Sequence, residues 1–390
     1  MRRVLYRPAI VCGAAVLLSL SAPGTASLHA AQQPAVPAAP GNALPPQASG
    51  AEIYRAACAT CHGIDGRGAP RTMLGFETEL RDFTDCAFAT VEPDPDWYAV
   101  VHEGGPIRGL GREMPAFGEA LTGDQIRLAL GHVRAFCTSR AWPQGDLNFP
   151  RAFFTEKAFP ENESVWTIAG TSGRHAGVSN DLVYERRLGA RNQIELKVPI
   201  DFQRNLEAGA GSPWAKGLGD VAFGFKRALV ASMRTGTIAA AGAEVILPTG
   251  NQFKDLGHGT TIFEPFAMFG QMLPHDSFLQ VHGGVELPSE PNLAAKEAYL
   301  RTAVGTTLAQ DRGFGRAWSP QVEVLWARPF GAESEWDVVP QLQVSMSKLQ
   351  HVLIAGGVRV PLTQRAVRKP QVVAYFLWDW FDGSLFDFWK

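Results

Sequence analysis

No lysine precedes Lys157 in this chain of 390 residues. Over residues 51–140 nine arginines stand against thirteen aspartates and glutamates, a net charge of −4, and this mildly acidic balance speaks against nucleic acid as a partner. The sequence also lacks the arrangements that mark several enzyme classes: no paired nucleophile and base, no phosphate-cradling glycine loop and no second Cys/His pair at zinc spacing. An independent catalytic site is therefore not expected. Only five cysteines occur, so each needs its own explanation. Beyond residue 30 no apolar run is long enough to cross a bilayer as a helix, which takes roughly 20 residues. A hydrophobic fraction of 46% with 19% charged residues excludes a disordered chain, and the length calls for more than one small domain.

The first thirty residues read as an export signal. Arg2, Arg3 and Arg7 precede an apolar run from Ala9 to Leu20, followed by small residues near Ala26 and Ala30. Cys12 lies at the front of that run, not at its end, and is not read as a lipid-attachment site. Residues 31–49 are rich in Pro and Ala without apolar period, which is a linker.

The most specific stretch follows. Cys58-Ala59-Thr60-Cys61-His62 is C-x-x-C-H, the spacing that attaches a c-type haem. Two thiols three positions apart can each form a thioether to a haem vinyl group, while the adjacent imidazole sits beneath the iron. A thioredoxin-type pair would follow a strand, whereas Gly50 to Cys58, with Ile53, Tyr54 and Ala57 on one face, reads as a helix running into the motif. Gly63, Gly66 and Gly68 then make a turn able to wrap closely round a flat group. Asp94, Pro95 and Asp96 open a short helix through Trp97, Tyr98, Val100 and Val101. Thr122 and Gln125 form a capping box for a third helix whose apolar face is Ile126, Leu128, Leu130, Val133 and Phe136. For a sixth iron ligand the best candidate is Met114, on a loop held by Pro115, because a soft thioether raises the reduction potential of haem iron. Met73, His102 and His132 are its rivals.

In this order of elements residues 50–140 resemble a class I c-type cytochrome: a small all-α domain. The resemblance implies one covalently bound haem c, thioethers at Cys58 and Cys61, iron ligation by His62 and Met114, and a carbonyl from Pro70 that would orient the His62 ring. Cys86 and Cys137 are not part of that family's minimum. In an oxidising compartment they are expected to pair as a disulfide, the alternative being two buried free thiols.

Residues 141–162 are read as a second linker, after which the period changes to two. Ile194, Leu196, Val198, Ile200 and Phe202 alternate with polar residues, and Trp336, Val338, Leu342, Val344 and Met346 repeat the rhythm. Further strands fall near 219–230, 235–247, 260–271, 277–287, 297–308, 317–327, 352–362 and 370–380, which with one or two before Gln193 makes about ten to twelve antiparallel strands. A soluble β-sandwich is the competing architecture. The strand lengths, the polar faces (Glu195, Lys197 and Asp201; Asp337, Gln341 and Gln343) and aromatics near strand ends (Phe263, Phe266, Phe269, Trp326, and Tyr375 to Phe381) favour a transmembrane barrel over residues 163–390. This part resembles the outer-membrane β-barrels grouped with phenol-degradation meta-pathway transporters, through Gly217 to Val221, Glu244 to Gly250 and His351 to Pro361. His175, His258, His275, His282 and His351 are scattered singly, as loop or lumen residues and not ligands.

Together these readings imply an exported, outer-membrane-anchored mono-haem electron-transfer protein. Its haem domain would face the periplasm and exchange electrons with another redox carrier there, and outer-membrane lipid would surround the barrel. Two alternatives stand beside this one. The first is a channel for a small, aromatic-type solute with an accessory haem domain. The second is a soluble cytochrome with a β-sandwich module. A globule of about 90 residues, with a radius of gyration near 12 Å, is too wide for the bore of such a barrel.

Overall fold

The computed structural model describes residues 45, 47–76, 79–172, 176–204, 214–308 and 317–379. The export signal with Cys12, nearly all of the first linker, His175 and the aromatics from Trp380 onward lie outside them. From residue 46 the chain is one compact unit, built as a helical domain on the end of a barrel.

The helical domain comprises α1 (Gly50–Ala57), α2 (Ala59–His62), α3 (Cys86–Ala89), α4 (Asp94–Glu103) and α5 (Gly123–Arg134). Ser49 and Glu52 cap α1 reciprocally, as Thr122 and Gln125 cap α5. Pro93 rather than Asp94 is the N-cap of α4. On α5 the buried stripe is Ile126, Ala129, Leu130 and Val133, and Leu128 is exposed. A helix advances 100° per residue, so Ala129 lies on the stripe that Ile126 and Val133 define, and Leu128 lies on the opposite face. Tyr54, Phe83 and Val133 form the core, with Cys58, Phe88, Trp97 and Phe136 packed against it.

The barrel strands are β1 (Glu163–Thr171), β2 (Gly177–Leu188), β3 (Asn192–Arg204), β4 (Trp214–Leu218), β5 (Ala222–Ser232), β6 (Thr237–Ile246), β7 (Ile262–Leu273), β8 (Ser277–Pro288), β9 (Glu297–Thr306), β10 (Trp318–Pro329), β11 (Glu335–Ser345), β12 (Val352–Pro361) and β13 (Gln371–Asp379). Neighbours pair antiparallel in sequence order, and β1 pairs with both β2 and β13, so the ring closes. β4 and β5 both pair with β3, Ile200 opposite Leu218 and Lys197 opposite Ala222. They are two halves of one stave with a bulge at Gly219–Val221, and the barrel has twelve staves.

Two sequence stretches meet at that bulge. Thr249 Oγ1 donates to the Gly219 carbonyl at 2.7 Å and accepts the Val221 N–H at 2.9 Å. The Asp220 carboxylate takes the N–H groups of Gly250 (2.9 Å) and His258 (2.7 Å). Glu244 to Gly250 thus brings its last turn against Gly217 to Val221, with backbone groups freed by the bulge satisfied by side chains.

Side chains alternate along every stave, but with the polarity of a soluble sheet reversed. Glu185, Gln193, Lys226, Gln280, Gln321, Glu323 and Gln343 are buried inside, while Leu182, Ile194, Phe225, Leu300, Val324 and Ile354 are exposed outside. A β-sandwich would show the opposite. Among the aromatics expected near the strand ends, Phe266 and Tyr375 point inward and pack on buried clusters; Phe263 and Phe269 stay outside. Strands of 10 (β6) to 13 (β3) residues, tilted by about 40°, rise roughly 25–33 Å, which matches the ~30 Å hydrocarbon layer.

The lumen is not simply wet. The segment expected as a linker enters it and touches most of the staves. Its hold combines apolar packing with polar capture of its backbone. Phe149 stacks on Phe278 with ring centroids 5.7 Å apart, and Phe159 is fully buried beside Ile238 and Met268. Gln280 donates to the Pro150 carbonyl at 2.8 Å, while Gln321 and Tyr375 both donate to the Arg151 carbonyl at 2.9 Å.

Candidate haem centre

The geometry at C-x-x-C-H follows from its helix. The Cys58 N–H bonds the Tyr54 carbonyl at 2.8 Å and the His62 N–H bonds the Cys58 carbonyl at 2.9 Å, so α1 and α2 form a kinked continuation carrying both thiols and the imidazole. The glycine turn folds back on it: the N–H groups of Gly68 and Ala69 bond the carbonyls of His62 (2.9 Å) and Cys61 (2.7 Å). Gly66, at φ +77°, passes so near the Phe136 ring that a Cβ would lie 2.8 Å from it. Tyr54 Oη donates to the Gly63 carbonyl at 2.8 Å and pins the loop from below.

The Cys58 and Cys61 thiols are not bonded to each other. Burial, reinforced by Cys61, pushes the Cys58 thiol up to about 11. Burial also holds His62 below the usual imidazole range, favouring the neutral ring that can offer a lone pair to a metal. The His62 ring stacks on Phe83 at 4.8 Å, and its Nδ1 is buried without a hydrogen-bond partner among the described residues. Phe83 in turn lies 5.5 Å from Trp97, whose indole N–H is also buried and unpartnered. Two unbonded thiols, a neutral imidazole and two orphaned nitrogens grouped round one phenyl ring fit a haem, whose iron, vinyl groups and propionates need such donors.

The remaining expected residues are placed as follows. The Pro70 carbonyl accepts the N–H of Met73 at 2.8 Å and lies at the start of a 3-10 turn over Arg71–Met73. Met114 is half-buried; its carbonyl accepts the Gly105 N–H at 3.0 Å, and its loop is tied to the end of α4 by Phe117 N–H to Val101 (2.9 Å) and Gly118 N–H to His102 (3.0 Å). Of the rivals, Met73 is 77% exposed. His102 pairs with Glu103 and stacks on Tyr98 at 5.5 Å, and His132 packs between Tyr54 and Phe136 at 5.2 and 5.1 Å. Cys86 and Cys137 are joined, their Cα atoms 5.1 Å apart. This ties α3 to the chain beyond α5.

Trp97 is the residue that sequence reasoning passed over. In the apolar pattern of α4 it is an ordinary core residue, and only its position beside Phe83 with an unsatisfied N–H distinguishes it. The barrel histidines are bonded more than expected: His258 Nδ1 lies 2.9 Å from Asp220, His282 Nε2 3.0 Å from Tyr299 Oη, and His351 Nε2 2.9 Å from Glu92.

That last contact joins the two domains. Beside it Gln350 donates to Asp96 at 3.1 Å, and Arg191 donates to the Ala141 carbonyl at 2.8 Å. The helical domain therefore sits at the barrel end that carries both Glu163 and Asp379, the first and last stave residues.

Residues 45–133 match the family described as cytochrome c oxidase, cbb3-type, subunit III. No curated protein matches the chain. Among solved structures, similar folds include an outer membrane channel from Pseudomonas putida F1 (13% identity, 59% of this chain and 99% of that one, TM-score 0.40). The KdgM porin in complex with disordered oligogalacturonate shows 8% identity over 56% of this chain and 99% of its own, with a TM-score of 0.36. The NanC porin shows 8% identity over 55% and 98%, with a TM-score of 0.38. Residues 45–133 thus carry a c-type cytochrome domain, followed in the same chain by a closed twelve-stranded antiparallel β-barrel.

Proposed function

We propose that the protein is an outer-membrane-anchored cytochrome holding one covalent haem c, which exchanges single electrons with a redox carrier in the periplasm. The observation that carries this reading is the reversed polarity of the barrel beneath a domain with the donor set of a haem site. An apolar exterior of this height is stable in lipid and costly in water, since each apolar Å² left in water costs about 25 cal/mol. In lipid a closed ring leaves no backbone group unpaired.

In this reading Cys58 and Cys61 hold the haem by thioethers, His62 and Met114 ligate the iron, and the Trp97 N–H is available to a propionate. A bound haem supplies one-electron chemistry. The chain's own residues would tether it, keep the imidazole neutral and hold that ring in place by the stacking of Phe83. With His62 and Met114 both given to the iron, the haem would supply electron transfer and not small-molecule activation, so the protein acts as a carrier and not as an independent enzyme. The shortest strand connections, 189–191, 233–236 and 274–276, lie at the haem-domain end, and the longest, 247–261, at the other. Short periplasmic turns and longer outer loops are the usual asymmetry of outer-membrane barrels, which supports a periplasmic haem domain.

The test is a haem-stained gel of separated inner and outer membranes, each sample loaded unheated and boiled. The expected result is an outer-membrane haem band that shifts on boiling, as folded barrels do. A soluble band that does not shift refutes the proposal.

A further inference from the structure

We infer that the barrel is a cation-selective pore and that residues 148–161 are its built-in plug, with the Arg151 guanidinium in the place of a permeating cation. The inference concerns the barrel and the segment that fills it, and holds whether or not the haem domain carries electrons.

The wall of the lumen is acidic where the plug sits. Glu163, Glu185 and Glu323 are each at most 1% exposed, and each needs donors to offset its burial. The plug supplies what they lack. Arg151 Nη1 bonds Glu163 at 2.5 Å and Glu185 at 2.9 Å, and Lys157 Nζ is shared between Glu163, at 3.1 Å, and the plug's own Glu161. Glu323 takes the N–H groups of Phe153 (2.9 Å), Phe154 (3.0 Å) and Thr155 (2.7 Å), with the Thr155 hydroxyl at 2.8 Å. A guanidinium, an ammonium and a row of N–H donors thus satisfy three carboxylates facing a channel axis. Without them those carboxylates would draw potassium, ammonium or guanidinium ions in their place, because a buried carboxylate left unpaired is costly. Further toward the long-loop end the lumen carries Asp181, Glu264, Glu286 and Glu297, while its cations are engaged: Lys197 on Glu244 (3.3 Å) and Glu195 (3.6 Å), Arg301 on the Phe154 carbonyl (3.2 Å), and Arg359 and Arg368 on Asp337 (2.6 Å). The wall is also cut to receive the plug. A Cβ on Gly357 would lie 2.8 Å from the Phe153 ring, and one on Gly270 2.7 Å from that of Phe149.

The plug is tethered to the helical domain by a short connection. Gly145 N–H bonds the Thr90 carbonyl at 2.7 Å, and Phe149 is already in the lumen, so withdrawal of the plug and release of the domain from Gln350 and His351 are one movement. Closure is thereby coupled to docking.

The full haem-loaded chain, reconstituted in planar bilayers under a KCl gradient, tests this. Wild type is expected to be closed. Glu323→Ala combined with Arg151→Ala is expected to conduct, with a reversal potential shifted toward that of potassium. Gly357→Val, which pushes on Phe153 without altering charge, is expected to do the same. Heat-shifted migration and retained haem stain certify that each variant is folded, and Gly357→Val serves if the double variant is not. Folded variants as silent as wild type, a wild type that already conducts, or a reversal potential shifted toward chloride would each overturn the inference. The outer-membrane haem band is unaffected by any of these outcomes, so this inference can fail while the anchored-cytochrome reading stands.

Discussion

The helical domain and the barrel bury opposite things. In the first, Tyr54, Ile53, Ile126 and Val133 turn inward and, the buried Asp96–Arg108 pair apart, charge turns out. In the second, Glu163, Glu185, Glu323 and Gln280 turn inward and leucine, valine and phenylalanine turn out. The first is the solution for a protein surrounded by water, where the hydrophobic effect drives apolar groups together. The second suits a surround that is itself apolar, where only polar groups need the shelter of the interior. The difference teaches that the pattern of burial reports the solvent, region by region, within one chain.

The haem motif gives the largest effect with which to probe the helical side. Cys61→Ala or His62→Ala is expected to abolish the haem-stained band or its normal spectrum, while the barrel still migrates as a heat-shifted species. Loss of both would mean that the two regions do not fold independently. Next is the Cys86–Cys137 link, which closes a loop of sequence separation 51. Replacing both with Ala should destabilise the helical domain by about 4 kcal/mol on the chain-entropy account, read as an earlier denaturant midpoint of the haem signal with the barrel transition unmoved.

The barrel side is sharpened by Val324→Arg, on the exterior of β10. In lipid it should cost about 2–4 kcal/mol near the midplane, measured by unfolding in liposomes. Negligible cost there would place that face in water and erase the contrast. The smallest effect concerns the seam between the regions. Burial raises Asp96 to about 6 against the opposing pull of Arg108, and Asp146 to about 6 through burial and the nearby Asp94. Both folded values lie above the unfolded one, so the stability they confer is complete below about pH 4 and is lost as pH rises through 6. Asp96→Asn should flatten that dependence by at most about 3 kcal/mol, seen in the thermal midpoint of the haem domain between pH 4 and 7.

Several of these features could be read directly from residues. C-x-x-C-H is a local constraint, and its helix is visible in the spacing of Ile53, Tyr54 and Ala57. The capping box at Thr122 and Gln125 is likewise local, and so are the strands, because alternation leaves one face uniformly apolar. Other features were invisible for equally physical reasons. The bulge that splits β4 from β5 interrupts a strand that reads as starting at Gly219, since a bulge changes pairing without changing hydrophobicity. Trp97 is apolar in any pattern, and its unpaired N–H exists only when Phe83 and His62 are beside it.

The sequence by itself determined the haem-binding motif, the period of each element and the reversal of polarity at the start of the barrel, since each is written in residues close together along the chain. Only the tertiary structure decided what residues 148–161 do. They have no period, and their contacts with Glu323, Tyr375, Gln280 and Glu185 span from 34 to 224 positions. Their backbone amides and aromatic rings acquire partners only once twelve staves have closed around them.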